Sequence, residues 1–139
     1  MRTIISGAGA GLALLPSLLS AATLNVPGSY SSVQAAVNAA ADGDEIVIAS
    51  GTHVGGVFVN QKSLTIRGAD PDNRPVLVLS QNGGAPGGGS TQAGINIAGD
   101  GITVNVQDLV LIPSPTSIPN RLIQTSTNTE GTTIAVNLT

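Results

Sequence analysis

Beyond Asp44 no stretch carries helical periodicity; short runs of alternating aliphatic and polar or small residues follow one another, punctuated by Gly, Asn, Asp, Ser and Pro. The predicted strands cover residues 45–49, 54–59, 63–67, 76–80, 95–98, 102–106, 109–112, 122–125 and 133–138. Within them Ile46/Ile48, Val57/Val59, Leu64/Ile66, Ile95/Ile97 and Ile134/Val136 stand two apart, so one face of each strand points inward and the other meets solvent. Many short strands of this kind build either an antiparallel sandwich or a parallel solenoid. Three features favour the solenoid. Two-residue hairpin signals are scarce, aromatic residues make up only 1 % of the chain, and an amphipathic helix precedes the strands, as a solenoid requires to plug its first coil. Repeats of this type run roughly 20–45 residues, so the chain holds about four or five coils, above the minimum of about three.

The plug is predicted over residues 31–41. A first strand at 23–26 ends at Pro27-Gly28, a turn dipeptide. Ser31-Ser32-Val33-Gln34 then fits a capping box, with the Ser31 hydroxyl taking an orphan backbone N–H and Gln34 reaching back to the cap. Val33, Ala36, Val37 and Ala40 fall at i, i+3, i+4 and i+7, a narrow stripe of small side chains suited to lying close on a flat surface. Gly43, in Asp42-Gly43-Asp44, is expected to end the helix through a positive φ.

Residues 1–22 read as an export signal. Arg2 gives a minimal positive start, residues 4–19 are largely apolar, and Ser20-Ala21-Ala22 offers the small side chains that signal peptidase needs, with cleavage expected after Ala22. The apolar stretch is shorter than the roughly 20 residues that span a bilayer, and Gly7, Gly9, Gly11 and Pro16 interrupt it. No membrane span is therefore expected after signal removal, and the mature chain, residues 23–139, is placed outside the cell or in the periplasm. Its four bases, Lys62, Arg67, Arg74 and Arg121, are scattered and face eight acids, which argues against nucleic acid as a partner. With 41 % hydrophobic and 9 % charged residues the chain suits a packed core. It has no cysteine, so packing and backbone hydrogen bonds must hold an exported domain without disulfides or thiolate metal sites.

Val26-Pro27-Gly28-Ser29-Tyr30, Val33-Gln34-Ala35-Ala36-Val37-Asn38-Ala39-Ala40, Gly43-Asp44-Glu45-Ile46-Val47-Ile48, Gly51-Thr52-His53 and Lys62-Ser63-Leu64-Thr65-Ile66-Arg67-Gly68 follow one another in order. Together they resemble the N-terminal coils of the pectin-lyase-like superfamily, over residues 23–80. The resemblance implies an all-β, right-handed, single-stranded parallel β-helix with a short N-terminal capping α-helix and coils over residues 45–139. His53 is a departure, since the family commonly carries tyrosine after Gly-Thr. Superfamily members include pectin methylesterases, polysaccharide lyases, glycoside hydrolases, accessory proteins and surface proteins, so the fold does not choose a reaction.

The residues themselves assign no catalytic or cofactor-binding group. Esterase chemistry of the pectin type needs paired aspartates and an arginine on neighbouring coils. Gln107-Asp108 resembles the Gln-Asp pair of those enzymes, but Leu109 breaks the continuation and Asp108 reads as an ordinary turn residue. Glycosidase chemistry needs two carboxyls facing each other, whereas Asp42, Asp44, Glu45, Asp70, Asp72, Asp100, Asp108 and Glu130 mostly stand in turn contexts. Asp70, Asp72 and Asn73 are the one candidate metal loop, an oxygen-rich segment that calcium could occupy, weighed against an Asx-type turn. His53 is the only imidazole and reads as a packed strand residue. Tyr30 is expected to pack under the cap, and Asn60, Asn96, Asn105 and Asn137 to join stacked amide ladders. Residues 83–89, rich in glycine, lack the Lys-Ser/Thr ending of a phosphate loop and read as an excursion from the coil. Pro113, Pro115 and Pro119 mark a second excursion, where missing N–H groups forbid ladder pairing.

Residues 134–139 alternate like a strand without a closing cap, which predicts either continuation in a longer protein or self-association through the uncapped C-terminal coil. The functional expectation is a secreted or cell-surface β-helix module, the non-catalytic N-terminal portion of a larger polysaccharide-associated protein. The alternative is a fragment of a polysaccharide lyase or pectin-esterase-like enzyme whose active site lies beyond residue 139.

Overall fold

The computed structural model describes residues 20–80, 93–116, 118, 119, 121–126 and 135–139. The predicted export segment up to residue 19, the glycine-rich excursion and Glu130 lie outside them. The described chain is mostly β, with three parallel sheets and one short helix.

Strand β1 (Thr23–Val26) and helix α1 (Val33–Ala39) come first. Then follow β2 (Glu45–Ile48), β3 (Thr52–Val54), β4 (Val57–Asn60), β5 (Leu64–Gly68), β6 (Val76–Leu79), β7 (Ala93–Ala98), β8 (Thr103–Gln107), β9 (Val110–Pro113), β10 (Arg121–Ser126) and β11 (Ala135–Leu138). The chain visits the sheets in rotation. One sheet has the order β1-β2-β5-β8-β11, a second β3-β6-β9 and a third β4-β7-β10. Every pairing among them is parallel.

Period-two alternation explains the core. Ile46, Ile48, Val57, Val59, Leu64, Ile66, Ile95 and Ile97, each read as inward from sequence, are all buried. Register stacks them into columns: Leu24, Ile46, Ile66 and Val106 in the first sheet, Val59 beside Ile97 in the third. Each such aliphatic contributes about 1.5–3 kcal/mol on full burial. Ile134 lies outside the described residues.

Two element boundaries differ from expectation. The run at 54–59 is two strands: Gly55, at φ +143°, lets the chain turn a corner between β3 and β4, and Thr52 and His53 belong to β3. Pro113 closes β9 instead of starting the excursion; it stands opposite Leu79, whose carbonyl accepts from the next residue, Ser114, at 2.8 Å. The missing N–H of Pro113 thus leaves no gap in that ladder.

The plug is shorter than residues 31–41 and its cap is Ser32, not Ser31. The Ser32 hydroxyl accepts from Ala35 N at 3.1 Å, and Ser32 keeps the extended backbone of an N-cap. Val33, Ala36, Val37 and Ala40 are buried as the stripe predicts, and α1 packs on β1, β2 and β4. Gly43 has the expected positive φ, +88°, but the helix has already ended in extended Ala40; Gly43 turns the chain into β2. Lys62 completes the end of α1. Its ammonium donates to the carbonyls of Ala40 at 2.7 Å, Val37 at 3.0 Å and Asn38 at 3.3 Å, which are groups a helix C-terminus leaves without intrahelical partners.

Gly68 shows how tightly the layers close. It continues the inward column of Val26 and Ile48, yet a Cβ there would run into the Asp108 carbonyl oxygen and come within 2.9 Å of Pro75 Cδ. Backbone from the next layer occupies that space.

Candidate functional site

The outer face of the β1-β2-β5-β8 sheet carries two columns of mostly polar side chains. Alternation that buries the aliphatics turns Thr23, Glu45, Thr65 and Asn105 outward in one column, and Asn25, Val47, Arg67 and Gln107 in the next. Arg67 joins the columns. Its Nε donates to Glu45 Oε1 at 2.7 Å and Nη2 to Glu45 Oε2 at 3.3 Å, while Nη1 donates to the Gly68 carbonyl at 3.1 Å. The Glu45 hydrogen bond, with the charges of Glu45 and Asp108 behind it, raises the guanidinium pKa above its already high ordinary value despite some desolvation. Both side chains remain 32 % exposed, so solvent screening keeps this pair near about 1 kcal/mol or less. Asn105 Nδ2 donates to Thr65 Oγ1 at 3.3 Å. The face can therefore offer amides, hydroxyls and a held guanidinium to the oxygens of a ligand.

A second feature is a cleft of about 280 Å³ at the capped end. Ser31, Ser32 and Gln34 line it from the cap side, His53, Val57 and Leu77 from the sheets. His53 stands at the head of the column formed with Leu77 and Leu111. Its Nε2 lies 2.8 Å from the Ala49 carbonyl; a carbonyl only accepts, so Nε2 carries the proton in the neutral ring and Nδ1 is the acceptor. On the other wall Gln34 does not reach back to the cap, as the capping-box reading expects. Its Oε1 accepts from Phe58 N at 2.6 Å, and its Nε2 donates to the Phe58 carbonyl at 3.2 Å and to Asn38 Oδ1 at 2.7 Å. One side-chain amide thus pairs with β4 as a neighbouring strand would.

The candidate metal loop is closed on itself. Asp70 Oδ1 accepts from Asp72 N at 2.9 Å, the Asx geometry, and the Asn73 carbonyl accepts from Ser50 Oγ at 2.7 Å. Among the described residues no three His, Cys, Asp or Glu side chains gather closely enough to hold a metal ion. Asp108 sits in the turn between β8 and β9 with φ 51°, a left-handed conformation that aspartate tolerates. Asp42 and Asp44 serve backbone too: Asp42 Oδ1 accepts from Ser63 N at 2.6 Å, and Asp44 holds Ala22 N at 2.8 Å and Ala41 N at 2.7 Å. Those two backbone donors, Ala22 before Ala41, hold the Asp44 carboxyl below its ordinary pKa.

The four asparagines do not form one ladder. Asn60 stands opposite Ala98, whereas buried Asn96 stands between Phe58 and Gln124, and Asn96 Oδ1 has no partner among the described residues. Asn105 and Asn137 are register neighbours. Tyr30 packs against the core. The residues that sequence reading misses are Gln34 and Lys62, whose partners lie 22–25 residues away in the chain. Lys62 stands two residues before β5, and its sequence context names no partner.

No family model, curated protein or solved structure matches the chain. No helix among the described residues is long and apolar enough to cross a membrane.

Proposed function

We propose that residues 23–139 form the first coils of a right-handed, single-stranded parallel β-helix, exported to the cell surface or its surroundings, and that they act as a non-catalytic, polysaccharide-associated module of a larger protein. The fold part of this reading is supported by the rotation of the chain through three parallel sheets and by the seat of α1 on β1, β2 and β4. The functional part is carried by one observation: the outward columns Thr23-Glu45-Thr65-Asn105 and Asn25-Val47-Arg67-Gln107 run unbroken across four strands, about 14 Å at ordinary strand spacing. Hydroxyl, amide and guanidinium groups in rows recognise sugar oxygens by hydrogen bonding. The acidic balance of the chain makes neutral or sparsely charged glycans better partners than highly anionic ones, through long-range repulsion.

The test is affinity electrophoresis of the secreted chain through gels carrying neutral plant glycans, methyl-esterified pectin or polygalacturonate. Retardation by the neutral or esterified glycans, weakened at least threefold in Arg67→Ala and Asn105→Ala, is expected. Equal mobility in all gels would overturn the binding reading. No turnover of pectin or polygalacturonate is expected from this chain, since the enzyme alternative places its active site beyond residue 139; turnover that disappears in Asp108→Ala would overturn that expectation. The alternative to continuation in a larger protein, self-association through the far end of the sheets, is read by light scattering as a mass that rises with concentration.

A further inference from the structure

Ala22 is bound into the sheet through both of its backbone polar groups. Its N–H donates to Asp44 Oδ1 at 2.8 Å, and its carbonyl accepts from Glu45 N at 2.9 Å. The hydrogen bonding between β1 and β2 thus begins one residue before Thr23. The second Asp44 oxygen takes the Ala41 N–H at 2.7 Å. Asp44 is only 6 % exposed, so one carboxylate, almost shut off from water, ties the start of β1 to the end of α1.

Cleavage after Ala22, where the small-residue pattern alone places it, would remove both of these groups. Asp44 Oδ1 and Glu45 N would lose their partners, and the new amine on Thr23 would stand about 3.3 Å further along the strand. Both groups would exchange a protein partner for water, and the nearly buried Asp44 would lose one of its two backbone donors. A cut one bond earlier keeps every contact. Water adds across the Ala21–Ala22 amide, Ala21 departs as a carboxylate, and the Ala22 nitrogen becomes an ammonium where its N–H already lies 2.8 Å from Asp44 Oδ1. That exchange also sets a positive charge against a nearly buried negative one, and the hydrogen bond becomes doubly charge-assisted.

We propose that export processing cuts between Ala21 and Ala22, and that the new ammonium of Ala22 is pinned by Asp44 to lock the cap onto the first rung. This rests on the export reading above. Ser20, Ala21 and Ala22 are exposed; the proposed cut sets small Ala21 directly before the scissile bond with Leu19 two residues earlier, where a cut after Ala22 would set Ser20. An ammonium paired in this way holds its proton above the ordinary α-amino range of about 7.7–8.0. Its stabilisation is complete below that range and is lost as pH rises through the raised value.

The experiment expresses the full-length precursor in a secreting host and determines the intact mass and N-terminal sequence of the secreted chain. A chain beginning at Ala22 is expected. Cleavage at any other bond overturns the inference and leaves export standing, whereas a chain retained uncleaved overturns the export reading and the inference with it. On the secreted wild-type chain, an NMR titration of the α-amino group is expected to give a value above the ordinary range; a value within that range refutes the ion pair. Asp44→Asn, if it folds, is expected to react with an amine-acylating reagent at neutral pH at least tenfold faster at its N-terminus than the wild type, and equal rates refute the pair again.

Discussion

Replacing Gln34 tests whether a side chain can stand in for a strand. In the structure its amide accepts from Phe58 N at 2.6 Å and donates to Phe58 O at 3.2 Å, and it also bonds Asn38 Oδ1 at 2.7 Å. The two bonds to backbone are part-buried and contribute about 0.5–1.5 kcal/mol each after exchange with water. The third is an exposed i,i+4 pair contributing about 0.2–0.5 kcal/mol. Gln34→Ala should therefore cost about 1–3 kcal/mol, a drop in Tm of roughly 3–15 °C for a domain of this size. Gln34→Glu keeps the shape and sharpens the argument. The introduced carboxylate can still accept from Phe58 N, but it sets an anion where a donor faced the Phe58 carbonyl. Its folded pKa is thereby raised above the ordinary value of about 4.3, so the variant is least stable relative to wild type at neutral pH and regains most of the loss below about pH 4. Thermal melts followed by circular dichroism at pH 7 and pH 3.5, each variant read against wild type at the same pH, measure both effects. Gln34→Ala within 0.5 kcal/mol of wild type, or a Gln34→Glu deficit that does not change with pH, would show that water serves the β4 edge as well as the amide does.

Lys62→Met keeps most of the aliphatic stem and removes the three bonds to the Val37, Asn38 and Ala40 carbonyls; a loss of about 1–3 kcal/mol is expected in urea unfolding. Asp44→Asn should flatten the acid limb of the stability curve. The Asp44 carboxyl titrates below its ordinary value, so its contribution is present above about pH 3.9 and is lost as pH falls through the depressed folded value; acid titration at fixed temperature should show a shallower loss in the variant. Gly68→Ala forces a methyl against the Asp108 carbonyl and Pro75, neither of which can swing away as a side-chain end would, and a cost of about 2–4 kcal/mol is expected from thermal melts.

The inward columns were legible because strand alternation has a period of exactly two residues, so Ile46/Ile48 and Ile95/Ile97 could be assigned to one face before their neighbours were known. The helix stripe was legible for the same kind of reason. Strand β3 was not, since Thr52-His53-Val54 has no apolar alternation and the two glycines after it were read as part of one run. The Glu45–Arg67 pair depends on register between strands, Glu45↔Thr65 and Val47↔Arg67, and a single sequence does not print register. Gln34 was given the local partner that a capping box supplies and Lys62 was given none, because a long polar side chain declares a distant partner only in three dimensions. The Asx turn at Asp70 was readable as one of two alternatives, and its bond from Asp72 N is present.

These long-range bonds share one physical task. A stack of parallel strands ends in a row of unpaired N–H and C=O groups on each sheet, and such an edge invites pairing with another chain. The three sheets meet the problem in different ways at the capped end. In the first, the edge strand is β1 itself; α1 packs against it, and the Tyr30 N–H donates to its Asn25 carbonyl at 3.2 Å. In the third, Gln34 occupies the edge of β4 with an amide that has the same donor and acceptor as a peptide. The second relies on brevity: β3 is three residues long and flanked by Gly51 and Gly55, both at positive φ, which leaves too little flat edge to template another strand. The cleft beside His53 lies between the start of α1 and β3, with Ser31, Ser32 and Gln34 on one wall and His53 on the other. Gln34 stands at both features: its amide closes the edge of β4 and the same residue lines the open cleft beside β3.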